Sequence, residues 1–123
     1  MKQESLSGAS IQELKSMYEE ASSSHGEASA SGNHRAANAQ YKRIAAAWRE
    51  LRRRGREGRS ALTDLIRSSN PAVRAWAASH VLEFAPELAE AELERLASGP
   101  PSVTRLDAEV TLSEWRAGNL KFD

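Results

Sequence analysis

The sequence contains no cysteine and no long apolar run, and both absences narrow the class of protein. Without cysteine there is no disulfide framework and no thiolate metal site, so a hydrophobic core has to hold the fold. A chain of 123 residues is long enough to form one such domain. No apolar stretch approaches the ~20 residues that span a bilayer, and Met1–Ser10 lacks the basic-then-apolar order of a signal peptide. We therefore expect a cytoplasmic protein of bacterial type that does not associate with membranes.

Net charge is also absent, but the charges are segregated along the chain. The 17 basic and 17 acidic residues cancel. Residues 42–59 nevertheless contain eight basic and two acidic side chains, a net charge of +6, whereas residues 83–114 contain eight acidic and two basic ones, a net charge of −6. The field at either end of such a charge dipole can steer an oppositely charged partner.

No segment alternates between apolar and polar residues, so we expect no sheet. Apolar residues recur instead at helical spacing; the clearest stripe is Ala37, Tyr41, Ile44, Trp48 and Leu51. Six helices are predicted, over residues 10–23, 33–54, 59–68, 71–85, 86–98 and 102–117, with Gly55 and Gly58 ending the second. Residues 22–32 are rich in Ser, Ala and Gly and predict a flexible loop, and residues 119–123 predict a short tail.

The helix predicted over residues 71–85 organises the rest of the chain. Asn70 is suited to cap its first turn, and Pro71 to occupy its first position. An offset of 30 residues matches this region to a second one, at Ile66/Leu96, Ser68/Ser98, Pro71/Pro101, Val73/Val103, Ala78/Ala108 and Leu82/Leu112. Repeated helical pairs that share a core are typical of α-solenoids. The sequence therefore predicts one all-α domain over residues 1–123, a short right-handed stack of about six helices in three antiparallel pairs.

The run Asn-Pro-x-Val-Arg-x-x-Ala-Ala at residues 70–78 resembles the second helix of a HEAT repeat. From about residue 10 to 122 the chain also resembles a small bacterial family of HEAT-like proteins catalogued as a domain of unknown function. The resemblance is carried, in order, by residues 38–41, 50–55, 61–65, 70–74 and 77–78, Pro86 with Leu93, and residues 107–108, 111–112 and 118. Members of such families occur among the immunity genes of bacterial toxin systems. The resemblance implies a HEAT-like, non-enzymatic protein that binds a toxin domain, and it implies no reaction.

One helix face carries the candidate protein-binding residues. Trp76, His80 and Glu83 project together from the central helix, and Glu109 lies on the corresponding face of the last helix. Tryptophan is enriched at interface hot spots, so we interpret this inner face as a binding surface; the alternative is that a neighbouring helix covers Trp76. Arg74, next to an apolar position, is expected to bond carbonyl groups or a carboxylate of an adjacent pair.

A basic patch of Arg49, Arg52, Arg53 and Arg56 ends the second helix. Such a cluster is compatible with a small nucleic-acid-binding module, with an acidic partner, or with a solvated helix end that complements the helix dipole. Because interleaved aromatic residues are few and the pI is near neutral, nucleic acid is the less favoured partner. A further alternative is an adaptor or structural protein, associating through Leu120 and Phe122 of the tail.

Patterns that would indicate catalysis are missing from the sequence. His25, His34 and His80 are far apart along the chain, whereas zinc takes three or four ligands. No serine stands in a Gly-x-Ser-x-Gly elbow, and no glycine-rich phosphate loop follows a strand. We therefore expect no catalytic residues, no metal site and no cofactor, and a protein partner as the ligand.

Overall fold

A computed structural model describes residues 5–122. Within that range all regular structure is helical. The six helices are α1 (Ile11–Ala30), α2 (His34–Arg53), α3 (Arg56–Leu65), α4 (Pro71–Val81), α5 (Pro86–Ala97) and α6 (Val103–Arg116). The predicted all-α fold of six helices is confirmed. The first four residues of the N-terminal segment and the last residue of the tail lie outside the described range.

Consecutive helices pack together in pairs, α1 with α2, α3 with α4 and α5 with α6, and the pairs then stack on one another. The central element is α4, which packs against α1, α3, α5 and α6. Its Val73, Ala77, Ala78 and Val81 are fully buried. No helix in the described part of the chain has both the length and the apolar content that crossing a membrane requires.

The start of α4 follows the sequence prediction, but its end does not. The Asn70 side chain accepts a hydrogen bond from the Ala72 N–H at 2.9 Å, and Pro71 occupies the first turn. The helix ends at Val81 rather than at Ala85. Because Pro86 disfavours the helical conformation at the residue before it, Ala85 has φ −142° and ψ 66°. The chain therefore turns at residues 82–84 before α5 begins.

The flexible loop predicted over residues 22–32 is wrong, because α1 continues through most of it to Ala30. Serine and alanine carry no apolar period, yet alanine is the best helix former. The second half of α1 is held by tertiary contacts: Ser22 and Ala28 are buried, and the Asn70 side-chain amide donates to Ser23 Oγ at 3.0 Å. These contacts stabilise the second half of α1, which has no large apolar side chains to pack against the core.

The prediction that Gly58 helps to end the second helix is also wrong. Gly55, with φ +65°, ends α2 and precedes α3, whereas Gly58 lies inside α3 and is buried. A β-carbon at Gly58 would lie 1.7 Å from the Leu51 carbonyl oxygen. The glycine therefore allows α3 to cross close to the end of α2, and α3 begins three residues earlier than the predicted Arg59.

Arginine side chains secure the turns inside the last two helical pairs. Arg74 donates to the Ser68 carbonyl at 2.7 Å and forms an ion pair with the buried Glu92 of α5 at 3.3 Å. Arg105 makes the matching bond in the next pair, to the Gly99 carbonyl at 3.1 Å. The structural role predicted for Arg74 is confirmed. It links two helical pairs through Glu92.

The two repeat copies differ where the stack stops. Ala78 and Ala108 are both buried, but Val73 is fully buried whereas its counterpart Val103 is 41% exposed. Val103 lines a small gap that α6 leaves beside α1 and α4, so neighbouring helices cover it only in part. Four further large apolar residues are exposed, namely Tyr41, Leu88, Leu106 and Val110.

Candidate functional site

A groove runs along one side of α4, and we call it the α4 groove. It consists of two adjoining cavities of about 400 and about 370 Å³, which share Trp76, Ser79 and Thr111. Ala75, Trp76 and Ser79 of α4 line its floor. Its lining also includes residues of α1, α2, α6 and the C-terminal tail, so the groove exists only after the helical pairs have stacked.

The first end of the groove is apolar and lies between α1 and α6. Leu106 and Val110 of α6 line it and are 59% and 54% exposed. His25 of α1 and Asp107 of α6 also line this end. Burial lowers the pKa of the His25 imidazole, and burial raises the pKa of the Asp107 carboxyl; the charge of each partly offsets the effect on the other. His25, the α1 residue at this end, lies in the part of α1 that the sequence predicted to be a flexible loop.

The second end of the groove has aromatic walls and basic residues. It is lined by Tyr41, Trp48 and Arg49 of α2, by His80 of α4, and by the tail residues Leu120, Lys121 and Phe122. Tyr41 is 50% exposed. Arg49 and Lys121 are exposed, and neither forms an ion pair with a carboxylate of residues 5–122.

Aromatic and imidazole rings from three helices form a continuous cluster under the groove. The His80 ring stacks on Trp48, with centroids 4.4 Å apart and planes inclined by 8°. Trp76 lies edge-on to His25 at 5.1 Å, and 6.0 Å from both Tyr41 and His80. Trp76 is thus packed against neighbouring rings on one side and open to the groove on the other. Both alternatives left by the sequence, coverage by a neighbouring helix and exposure on a binding surface, therefore hold in part.

His80 is fixed by a hydrogen bond to a buried tyrosine of α1. The Tyr18 hydroxyl and His80 Nδ1 are 2.6 Å apart, and Tyr18 has no exposed surface. Burial lowers the pKa of His80 to about 3, and burial raises the pKa of Tyr18. Both side chains are therefore neutral at pH 7.

The four predicted binding residues do not share one site. Trp76 and His80 line the groove. Glu83 instead pairs with Arg52, accepting two hydrogen bonds from its guanidinium, and lines a separate depression beside Phe84. Glu109 is exposed on α6 but does not line either cavity of the groove. The expectation of one common face for all four is therefore wrong.

The residues that the sequence reasoning missed are Tyr41, Leu106, Asp107 and Val110. Tyr41, Leu106 and Val110 belong to the apolar stripes of their helices, and periodicity identifies such a stripe without showing which part of it a neighbour covers. Asp107 belongs to the acidic half of the sequence, and only the stacking of α6 beside α1 distinguishes it from the other carboxylates.

Two of the four arginines of the predicted basic patch form ion pairs within the chain. Arg52 pairs with Glu83 and lies over the Trp48 ring at 5.4 Å, and Arg53 pairs with Glu50 at 2.6 Å. Arg49 and Arg56 are exposed, but only Arg49 lines the groove. The four arginines therefore do not form a single cationic surface.

The C-terminal tail is occupied within its own chain. Leu120 and Phe122 pack against the hydrophobic core, and the Phe122 ring lies 6.4 Å from that of Trp115. Both residues are partly buried, so the tail side chains on which the adaptor alternative relies are partly engaged within their own chain. Within residues 5–122, no group of three or more His, Asp or Glu side chains is placed to hold a metal ion.

Comparisons with known proteins agree with the all-helical architecture. Residues 12–115 match the family described as Domain of unknown function (DUF2019). The crystal structure of the protein RPA1889 from Rhodopseudomonas palustris CGA009 is similar, with a TM-score of 0.86 and 25% sequence identity. The similarity covers 98% of this chain and 100% of that chain. No curated protein matches the chain.

Proposed function

The chain belongs to the family described as Domain of unknown function (DUF2019), and we propose that it is a non-enzymatic, HEAT-like protein-binding module. In this proposal the α4 groove receives an apolar segment of a partner protein. The observation that carries the proposal is the convergence of apolar and aromatic side chains from α2, α4 and α6 on this one groove.

Three of the five large apolar residues that are exposed in the described chain line the groove, namely Tyr41, Leu106 and Val110. Single exposed apolar residues are common on protein surfaces, but contiguous ones mark interaction sites. Trp76 lines both cavities of the groove and supplies an anchor of the type enriched at interface hot spots. A partner segment lying along the groove would exclude water from Tyr41, Leu106 and Val110.

We further propose that the partner is a bacterial toxin domain, which the protein neutralises by occlusion. The support for this more specific form is the resemblance to families found among toxin-immunity genes. A segregated charge distribution would also speed the encounter with a charged partner. Occlusion requires no catalytic residue on this chain, because a bound module blocks access to the surface it covers.

One set of experiments tests both proposals, that the α4 groove is the binding surface and that the partner is a toxin domain, and each proposal has its own outcome. The gene is co-expressed with each toxin gene encoded beside it, and growth and binding of the purified proteins are measured. We expect rescue by the wild type and its loss in Leu106→Asp, since a charge would then be buried in an apolar contact. Leu88→Asp is the matched control, because Leu88 is 41% exposed on α5 outside the groove.

If the wild type rescues growth from none of these toxins, the toxin proposal is wrong. If a partner binds Leu106→Asp and the wild type with equal affinity, the groove is not the binding surface. Loss of binding in Leu88→Asp but not in Leu106→Asp would instead place the interface on the α5 side. Circular dichroism of each variant verifies that its fold is intact.

A further inference from the structure

The Tyr18–His80 hydrogen bond determines which nitrogen of His80 carries its proton. The Tyr18 hydroxyl is buried, and in residues 5–122 its hydrogen-bond partner is His80 Nδ1. A neutral imidazole has one N–H and one acceptor nitrogen. If the proton were on Nδ1, the buried phenolic O–H would have no acceptor in the described chain, and leaving a buried donor unpaired is costly. Tyr18 therefore donates to Nδ1, and the His80 proton is on Nε2.

The remaining ring nitrogen, Nε2, is the one available to face the groove. Nδ1 is held on the Tyr18 side, and one face of the ring is covered by Trp48. His80 nonetheless lines the groove. Among residues 5–122 the buried side-chain polar atom that lacks a hydrogen bond is Ser22 Oγ. His80 Nε2 also has no hydrogen-bond partner there, but it is not one of the buried unpaired atoms; it therefore keeps some exposed surface, and the groove is the cavity that His80 lines.

Two cationic side chains line the same end of the groove as this N–H. Arg49 and Lys121 are both exposed and without an ion-pair partner in the described chain. The surrounding walls are the rings of Tyr41, Trp48 and Trp76. This end therefore combines hydrogen-bond donors, positive charge and apolar walls, and a carboxylate attached to an apolar stem satisfies all three.

We propose that the second end of the α4 groove binds an aspartate or glutamate side chain of the partner protein, with His80 Nε2–H and Arg49 as donors to its carboxylate. An apolar side chain of the same segment would occupy the first end, against Leu106 and Val110. This inference rests on the proposed protein-binding function and specifies the chemistry of the partner.

The tautomer of His80 is tested first, by 15N NMR of the full chain. We expect the shifts of an imidazole with a proton on Nε2, and in Tyr18→Phe a shift toward a mixture of both tautomers. The Tyr18→Phe change leaves the groove lining untouched, because Tyr18 is buried and does not line it. Observation of the Nδ1–H tautomer in the wild type would overturn the proposal.

The carboxylate is tested with two blocked dipeptides that differ by one group. Acetyl-leucyl-glutamate amide and acetyl-leucyl-glutamine amide are titrated into the 15N-labelled protein at millimolar concentrations. We expect both to shift the Trp76 indole signal and the glutamate peptide to bind about tenfold more tightly, since hydrogen bonds to a charged group are the stronger ones. Its advantage should shrink as salt is raised. Equal affinity, or the absence of shifts in the groove, contradicts the carboxylate site.

A third probe distinguishes the source of the carboxylate. Acetyl-leucyl-glutamine with a free C-terminus carries its only carboxylate at the chain end. If it binds as tightly as the glutamate amide, the site reads a chain terminus and the assignment to a side chain is wrong. The double variant Tyr18→Phe/His80→Phe keeps aromatic rings at both positions without the donor, and it should lose most of the preference for the glutamate peptide.

The dipeptide titrations and the partner-binding experiment can fail independently, so failure of the carboxylate site is distinguishable from failure of the proposed function. Partner binding that is lost in Leu106→Asp, combined with equal affinity for the two dipeptides, supports the groove and rejects its carboxylate chemistry. A preference for the glutamate peptide combined with a partner insensitive to Leu106→Asp supports the carboxylate chemistry of the groove but rejects the groove as the partner surface, and with it the assignment of that carboxylate to the partner. Arg49→Gln, which removes a rim cation outside the core, should weaken the glutamate peptide without altering thermal stability.

Discussion

Gly26 of α1 lies directly against Ala72 of α4. A β-carbon at Gly26 would be 2.7 Å from the Ala72 Cβ, which is closer than non-bonded carbon atoms normally approach. Glycine inside a helix usually costs stability relative to alanine. Here it allows α1 to approach the helix that forms the floor of the groove, so the wall that carries His25 depends on this contact.

A larger side chain at Gly26 should separate α1 from α4. We expect Gly26→Leu to lower the free energy of unfolding by about 2 kcal/mol or more, because overpacking forces backbone shifts. Gly8→Leu is the control, since a β-carbon at Gly8 meets nothing within 4 Å. Urea denaturation of both variants measures the difference. Equal midpoints would mean that α1 does not pack on α4 at this position.

Two neighbouring serines of α1 should respond in opposite directions to alanine. Ser22 Oγ is buried without a hydrogen bond in the described chain, so we expect Ser22→Ala to raise the free energy of unfolding by about 1 kcal/mol. Ser23 Oγ accepts from the Asn70 amide, so Ser23→Ala should lower it by a similar amount. Thermal and urea denaturation test both. Destabilisation by Ser22→Ala would indicate a bond partner for its hydroxyl.

The sequence predicted the parts of this fold whose signals are local. The cap at Asn70 and the buried face of α4 follow from helix chemistry and apolar spacing. The second half of α1 was missed because Ser22 and Gly26 are placed by contacts with α4 rather than by periodicity. Glu83 looked free for binding because its pairing with Arg52 joins helices distant in sequence. Trp76 and His80 were identified as candidate site residues, whereas Leu106 was not, since its place in the groove depends on how α6 packs beside α1 and α4.

Removal of Arg74 should cost far more than removal of Arg95. Both arginines contact the buried Glu92, but the Arg74 side chain is 26% exposed and the Arg95 side chain 65% exposed. Without Arg74 the Glu92 carboxylate loses its partner from α4 and the Ser68 carbonyl loses a donor. We expect Arg74→Ala to lower the free energy of unfolding by about 2 kcal/mol and Arg95→Ala by less than about 1 kcal/mol, measured by urea denaturation. Equal losses would contradict a special role for Arg74.

Stability should fall as the pH drops below the ordinary pKa of histidine. The pKa of His80 is about 3 in the folded chain, below its usual value of 6.5, because burial disfavours the charged ring. As the pH falls, the unfolded chain therefore takes up this proton first. His80 contributes stability that is complete above about pH 6.5 and is lost toward pH 3, with a slope of up to about 1.4 kcal/mol per pH unit.

The double variant Tyr18→Phe/His80→Phe isolates this contribution from those of the carboxylates and of His25. Its free energy of unfolding, measured by urea denaturation at several values between about pH 4 and about pH 7, should decrease less steeply than that of the wild type. Parallel curves for the two proteins would show that His80 does not titrate differently in the folded and unfolded chains.

The two repeat copies provide a test of the stack itself, because the same substitution at matched positions should have unequal effects. Val73 is fully buried under neighbouring helices, whereas Val103 is 41% exposed at the corresponding position of α6. Val73→Asp places an unpaired charge in the core, so we expect it to lower the free energy of unfolding by at least about 3 kcal/mol. Val103→Asp keeps its charge in water and should change it by about 0.5 kcal/mol or less. Urea denaturation followed by circular dichroism measures both, and similar losses at the two positions would mean that α6 is covered as fully as α4.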